Sequence, residues 1–161
     1  MNKQQRMINT EYYEYTNVNP KNKFGGDCVV RAIALATGQT WEQTVREMTE
    51  LGIKLGFVLN DHHVYEKYLL SKGFIQAKEP RDICNRKMSV KEFMNEEQIY
   101  EGNQKTVIVA NTQGHHVTCI KDGKIRDIWN TENMTMHRFW YKPDSDFKPQ
   151  EKLVVKRRFT L

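Results

Sequence analysis

The chain has few cysteines and no pair of them spaced for a metal or redox motif. Cys28, Cys84 and Cys119 are the three in 161 residues, with no C-x-x-C. An odd, scattered set argues against a disulfide framework and against a structural zinc site. Each thiol is then either a small core residue or a reactive one. Long apolar runs are also missing. None approaches the ~20 residues that a membrane span needs, so no membrane partner is expected. The N-terminal "MNKQQRMINTEYYEY" lacks the apolar stretch of a secretory signal. A cytoplasmic location follows as the expectation. No internal repeat, low-complexity tract or linker interrupts the chain. Its length fits one domain over residues 1–161, with an N-terminal extension at 1–18 and a basic terminal strand at 151–161.

What is present is ordinary for a globular chain: 39% hydrophobic and 28% charged residues. The net charge is +5, and much of the excess sits in the terminal "EKLVVKRRFTL". A basic tail can touch nucleic acid. A modest net charge is weak ground for that, and Lys152, Lys156, Arg157 and Arg158 read better as solubilising an edge strand.

Helices come first in the pattern and strands later. A first helix is expected over 28–37, with Asp27 as N-cap, an apolar stripe of Val29, Ala32, Ile33 and Ala36, and Gly38 as its stop. Thr40 and Gln43 form a capping-box pattern that opens a second helix to about residue 51. Asn60 or Asp61 caps a third, "HHVYEKYLLSK", ended by Gly73, with Tyr65, Tyr68, Leu69 and Phe74 as core. Ser89 and Glu92 start a short fourth, "VKEFMNEE". Tyr12, Tyr13 and Tyr15 suggest a short early strand. "KTVIVAN" reads as a buried central strand, and "MHRFWY" and "KLVVKRRF" as further strands. "HHVTCIKDGKIRDIW" is a hairpin around a type I′ turn at Asp122-Gly123. The class is α+β, with an antiparallel sheet closing the domain.

Two places in this pattern carry chemistry. Cys28 opens the first helix after Gly25, Gly26 and Asp27. The partial positive charge and free N–H groups of a helix start stabilise a thiolate and can serve an oxyanion. A small residue buried at a helix start explains the same position equally simply. A nucleophile also needs a base, and the base an orienting partner. In the hairpin register, Thr118 faces Asp127 and His116 faces Trp129, so His116 and Asp127 are diagonal neighbours on one face. His115 falls on the other face, as does Cys119, which reads as core. Trp129, beside Asp127, would shield an Asp–His hydrogen bond from water. A core cluster with a satisfied histidine is the competing account. His62 and His63 with His115 and His116 could be a metal set, but adjacent pairs point apart and no acidic or cysteine spacing supports it. No metal or other cofactor is expected. Cys84, in "RDICNRK", has no expected role.

On these residues the chain resembles the papain-like cysteine peptidases, above all the small phage-type members and bacteriocin-leader peptidases. The order is a helix-borne Cys28, His116 at a strand start and Asp127 on the next strand. "NPKNKFGGDCVVRAIA" and "GHHVTCIKDGKIRDIWN" carry the likeness, from residue 19 to about 130. The resemblance implies a minimal papain-like fold, with the cysteine helix packed on the sheet, and a hydrolase acting on a peptide or protein substrate. It implies Cys28 as nucleophile, His116 as base, Asp127 as its orienter and Trp129 as the shield. Asn22, six residues before Cys28, stands where the family has an oxyanion-hole Gln. Its side chain is one methylene shorter than that Gln, and the Cys-Gly-Ser-Cys-Trp helix start of papain is absent. An amidase or acyltransferase could use the same triad. A catalytically idle member would instead act by binding a host protein or nucleic acid.

Overall fold

The computed structural model describes residues 7–95 and 106–142. The expected strand "KLVVKRRF" and the basic segment 151–161 lie outside these residues, as do Lys105 and the two glutamates that end "VKEFMNEE". Four helices and six strands are described, in the order β1 (Tyr13–Tyr15), α1 (Cys28–Thr37), α2 (Trp41–Leu55), α3 (His62–Ser71), β2 (Ile75–Ala77), α4 (Val90–Asn95), β3 (Val107–Thr112), β4 (His116–Lys121), β5 (Lys124–Asp127) and β6 (Met136–Lys142). The class is α+β.

The helix punctuation largely follows local chemistry. α1 buries Val29, Ala32, Ile33 and Ala36, and Gly38 ends it at φ 72°. Thr40 accepts from the Gln43 N–H and starts α2. The Gln43 side chain turns to Glu47 instead of closing the box. Asp61 caps α3 by accepting from the His63 N–H. At α4 the box is complete: the Glu92 N–H donates to Ser89 Oγ and the Ser89 N–H donates to Glu92 Oε2. α2 outruns its expected end at about residue 51 and continues to Leu55. Gly52, just past the expected end, lies inside the helix as a packing glycine. A Cβ there would stand 2.4 Å from the Phe57 carbonyl oxygen, where the chain folds back over the helix.

The strands form one sheet in the order β1-β5-β4-β3-β6-β2. It is mixed, which corrects the expected antiparallel sheet. β1 runs parallel to β5, pairing Tyr13 with Ile125 and Tyr15 with Asp127. Nor is it wholly C-terminal, since β1 and β2 come from the helical half of the chain. Neighbouring residues of each central strand alternate between two cores. On one face Val109, Cys119 and Trp140 pack with Val29, Ile33, Met48, Val64 and Leu69 of α1–α3. Tyr65 meets Trp140 edge-on at 5.5 Å there. On the other face Ile108, Ile120, Ile125 and Phe139 pack with Tyr13, Val90 and Phe93. The expected core residues Tyr65, Tyr68, Leu69 and Phe74 are all buried. Among the described residues, no helix is long and apolar enough to cross a membrane.

Candidate active site

Cys28 is the first residue of α1 and is partly exposed. Asp27 precedes it in the cap position but makes no capping hydrogen bond, contrary to the expected N-cap role. Its carboxylate is claimed elsewhere. One oxygen pairs with the Arg31 guanidinium one turn on, and the other accepts from Asn19 Nδ2 at 2.9 Å and Trp41 Nε1 at 3.0 Å. A charge-assisted pair is roughly twice as strong as a neutral hydrogen bond, so the guanidinium outcompetes the helix N–H groups. Those N–H groups keep their partial positive charge beside the thiol.

The base arrives on the hairpin. Asp122 and Gly123 both take left-handed backbone, φ 54° and 68°, as a type I′ turn requires. The ladder pairs Lys121 with Lys124, Ile120 with Ile125 and Cys119 with Arg126. The register is the expected one, but the paired ladder stops at Cys119–Arg126, short of Thr118–Asp127, and Trp129 lies beyond the end of β5. The side chains still converge. His116 Nε2 lies 2.6 Å from Asp127 Oδ2. The Trp129 ring lies 4.7 Å from the His116 ring at 49°, from a bend beyond the strand. With Nε2 committed to Asp127, Nδ1 is the ring nitrogen left to serve the Cys28 thiol, whose acidity His116 raises.

Strand alternation puts His116 in step with Ile120, and Asp127 in step with Ile125, on the face away from α1. Yet they meet Cys28 and Arg31 of α1. They are the first residue of β4 and the last of β5. No further residue of either strand walls them in, and at the end of a twisted strand a side chain can reach round to the helix. His115 does not lie on the opposite strand face as expected. It ends a 3₁₀ turn, Gln113–His115, at φ 59°, before the strand begins. It lines an open groove of about 840 Å³ together with Lys78, Glu79, Asn111, Gly114 and Arg138.

Burial alone would raise the Cys28 thiol. The hydrogen bond from His116, the Val117 N–H and the imidazolium charge outweigh it, and the thiol is lowered from its ordinary value of 9.0. Burial likewise opposes the charged form of His116, but the hydrogen bonds and charges of Asp127 and Cys28 raise it from 6.5 to about 9. Both directions favour a thiolate–imidazolium pair. The other thiols contrast with this. Burial pushes Cys119 up to about 12, as befits a core residue, and Cys84 is exposed in its loop.

Asn22 is exposed, in a turn at φ 50°, and its N–H donates to the Asn19 carbonyl. Its side-chain amide makes no hydrogen bond among the described residues, and none joins it to the Cys28 thiol. The four-histidine grouping does not assemble. His62 and His63 do converge, against the expectation that adjacent histidines point apart. Their rings are 3.8 Å apart, and with Asp61 their ligand atoms lie within 4.8 Å of one another at the exposed start of α3. Asp61 is already occupied there as the cap of α3.

Arg31, Asn19, Trp41 and Tyr13 support the site and were not singled out from the sequence. Arg31 is 4% exposed and reaches Asp127 Oδ1 at 3.7 Å as well as Asp27. The Tyr13 hydroxyl donates to the Asp127 carbonyl at 3.2 Å. One signal for Arg31 was available: a single charge in the apolar helix "CVVRAIALA" demands a buried partner. In comparisons with known proteins, no family model, no curated protein and no solved structure matches the chain.

Proposed function

We propose that the protein is a cysteine hydrolase of papain-like type that cleaves a peptide or isopeptide bond. The observation that carries this reading is the convergence of Cys28, His116 and Asp127 from three elements: His116 is hydrogen-bonded to Asp127, and it lies close enough to Cys28 that the thiol is lowered and the imidazole raised. In the proposed reaction the Cys28 thiolate attacks the acyl carbon, and a C–S bond forms. His116 passes its proton to the departing amine as the C–N bond breaks, leaving a thioester. His116 then takes a proton from water, whose oxygen attacks the thioester; the C–S bond breaks as the acid leaves, and the thiolate–imidazolium pair is restored. Asp127 keeps the ring oriented throughout, and Trp129 covers it. The free N–H groups at the start of α1 suit the developing oxyanion. For Asn22 to join them, the 22–26 loop must carry its amide to the thiol, and Gly25 and Gly26 give that loop its freedom. An amide other than a peptide would follow the same steps.

Alkylation with iodoacetamide near pH 6, followed by peptide mapping, tests the nucleophile. Cys28 should be labelled ahead of Cys84 and Cys119, and His116→Ala should abolish that preference. Incubation with a peptide library should then yield cleavage products that Cys28→Ala does not give. Labelling confined to Cys84, with Cys28 untouched, would sink the reading.

A further inference from the structure

α1 meets the His116–Asp127 pair at two points. Cys28 lies within the electrostatic reach of His116, and Arg31, one turn along the same helix, pairs with Asp127. Each oxygen of the Asp127 carboxylate thus has its own partners. Oδ2 faces His116 Nε2, while Oδ1 accepts from the Ile128 N–H at 2.7 Å and faces Arg31 NH2 at 3.7 Å. Arg31 is itself held from behind by Asp27, which Asn19 and Trp41 fix in turn. A guanidinium 4% exposed, clamped between two carboxylates, has little freedom to leave.

We propose that Arg31 is the positioning residue of the site: it holds the Asp127 carboxylate so that one oxygen stays on His116, and it screens the carboxylate's negative charge from the Cys28 thiolate. The proposal rests on the thiolate–imidazolium reading of Cys28 and His116. Two consequences of losing Arg31 act on the thiol in the same direction. A carboxylate free to turn holds the imidazolium less well, and an uncompensated carboxylate charge repels the thiolate. Among the described residues, the charged and titratable groups facing this cluster are Asp27 just before α1, Tyr65 from α3, His116 and Cys119 from β4, Asp127 from β5, and Tyr13 and Tyr15 from β1. Arg31 is the one permanently cationic group among them.

The test needs no substrate. The rate of Cys28 alkylation by iodoacetamide is followed against pH in the full chain, and its midpoint reports thiolate formation. Arg31→Met should move that midpoint upward by about one pH unit, whereas Arg31→Lys, which keeps the charge, should restore most of the shift. Arg31→Gln fills the site with a neutral donor and carries the test should Arg31→Met fail to fold. A folded Met or Gln variant with a lower melting temperature but an unmoved midpoint would assign Arg31 a structural role alone and overturn the proposal. If the wild-type midpoint itself lies at that of an ordinary thiol, the hydrolase reading fails first, and the two failures stay distinct.

Discussion

Moving a proton from the Cys28 thiol to the His116 imidazole leaves the pair holding one proton in either arrangement, and this decides how the site affects stability. His116 is raised from 6.5 to about 9 in the fold. Its contribution is therefore fully present below pH 6.5 and is lost as pH rises through about 9. Cys28 is lowered from 9.0, so its contribution is present above pH 9 and is lost as pH falls through its folded value. Between pH 6.5 and 9 the two slopes oppose. Where the folded chain holds the proton on nitrogen while the unfolded chain holds it on sulfur, folding takes up almost none. Replacing the thiol removes one slope and leaves the other, because Asp127 still raises His116. Cys28→Ala should therefore lose stability as pH rises from 6 to 9, by about 1–2 kcal/mol more than the wild type does. Urea unfolding at the two pH values measures it. Parallel curves for the two proteins would mean that the proton does not move between these groups.

At the scale of elements, Gly52 gives a prediction against helix propensity. Alanine in a helix interior normally gains up to about 1 kcal/mol over glycine. Here the added Cβ would meet the Phe57 carbonyl oxygen at 2.4 Å, an atom of the backbone that cannot rotate away. Gly52→Ala should instead destabilise by about 1–3 kcal/mol, read as a lower urea midpoint at unchanged slope. The same glycine shows what sequence rules can and cannot read. A glycine near a helix end looks identical whether it stops the helix or makes room for a passing chain, and only the fold separates the two. Caps built from neighbours in sequence, such as Ser89 with Glu92, were legible in full. Asp27 stands at the N-cap position as read, but its carboxylate does not cap, because its partners reach as far as Asn19 and Trp41. β2 is three residues at a sheet edge, two of them exposed, and is too short to show alternation. β1 pairs in parallel with β5 from the other end of the chain, a contact that no local turn announces.

Across the whole molecule, what joins the helical half to the sheet at the site is ionic as well as apolar. Asp27 gathers the loop at Asn19, α1 through Arg31 and α2 through Trp41, and Arg31 carries the link on to Asp127 in β5. The residues of the candidate triad could each be picked from local pattern: a helix start, a strand start and a hairpin register. The network behind them could not, because pairing Arg31 with Asp127 requires knowing that α1 crosses the strand ends. Its energetics are testable by a double-mutant cycle. Asp27→Ala leaves Arg31 with one carboxylate fewer and strands the donors of Asn19 and Trp41, so it should cost about 3–5 kcal/mol, as breaking one side of a buried pair does. Arg31→Met leaves two carboxylates without their cation. The double variant removes a charge of each sign, so the Asp27 side keeps no unpaired ion and only Asp127 lacks its partner. Its loss should fall short of the sum of the single losses by about 1–3 kcal/mol. Urea unfolding of the four proteins at pH 7 gives the coupling directly. Strict additivity would mean that Asp27 and Arg31 act independently, and that the helix is anchored to the sheet by its apolar face alone.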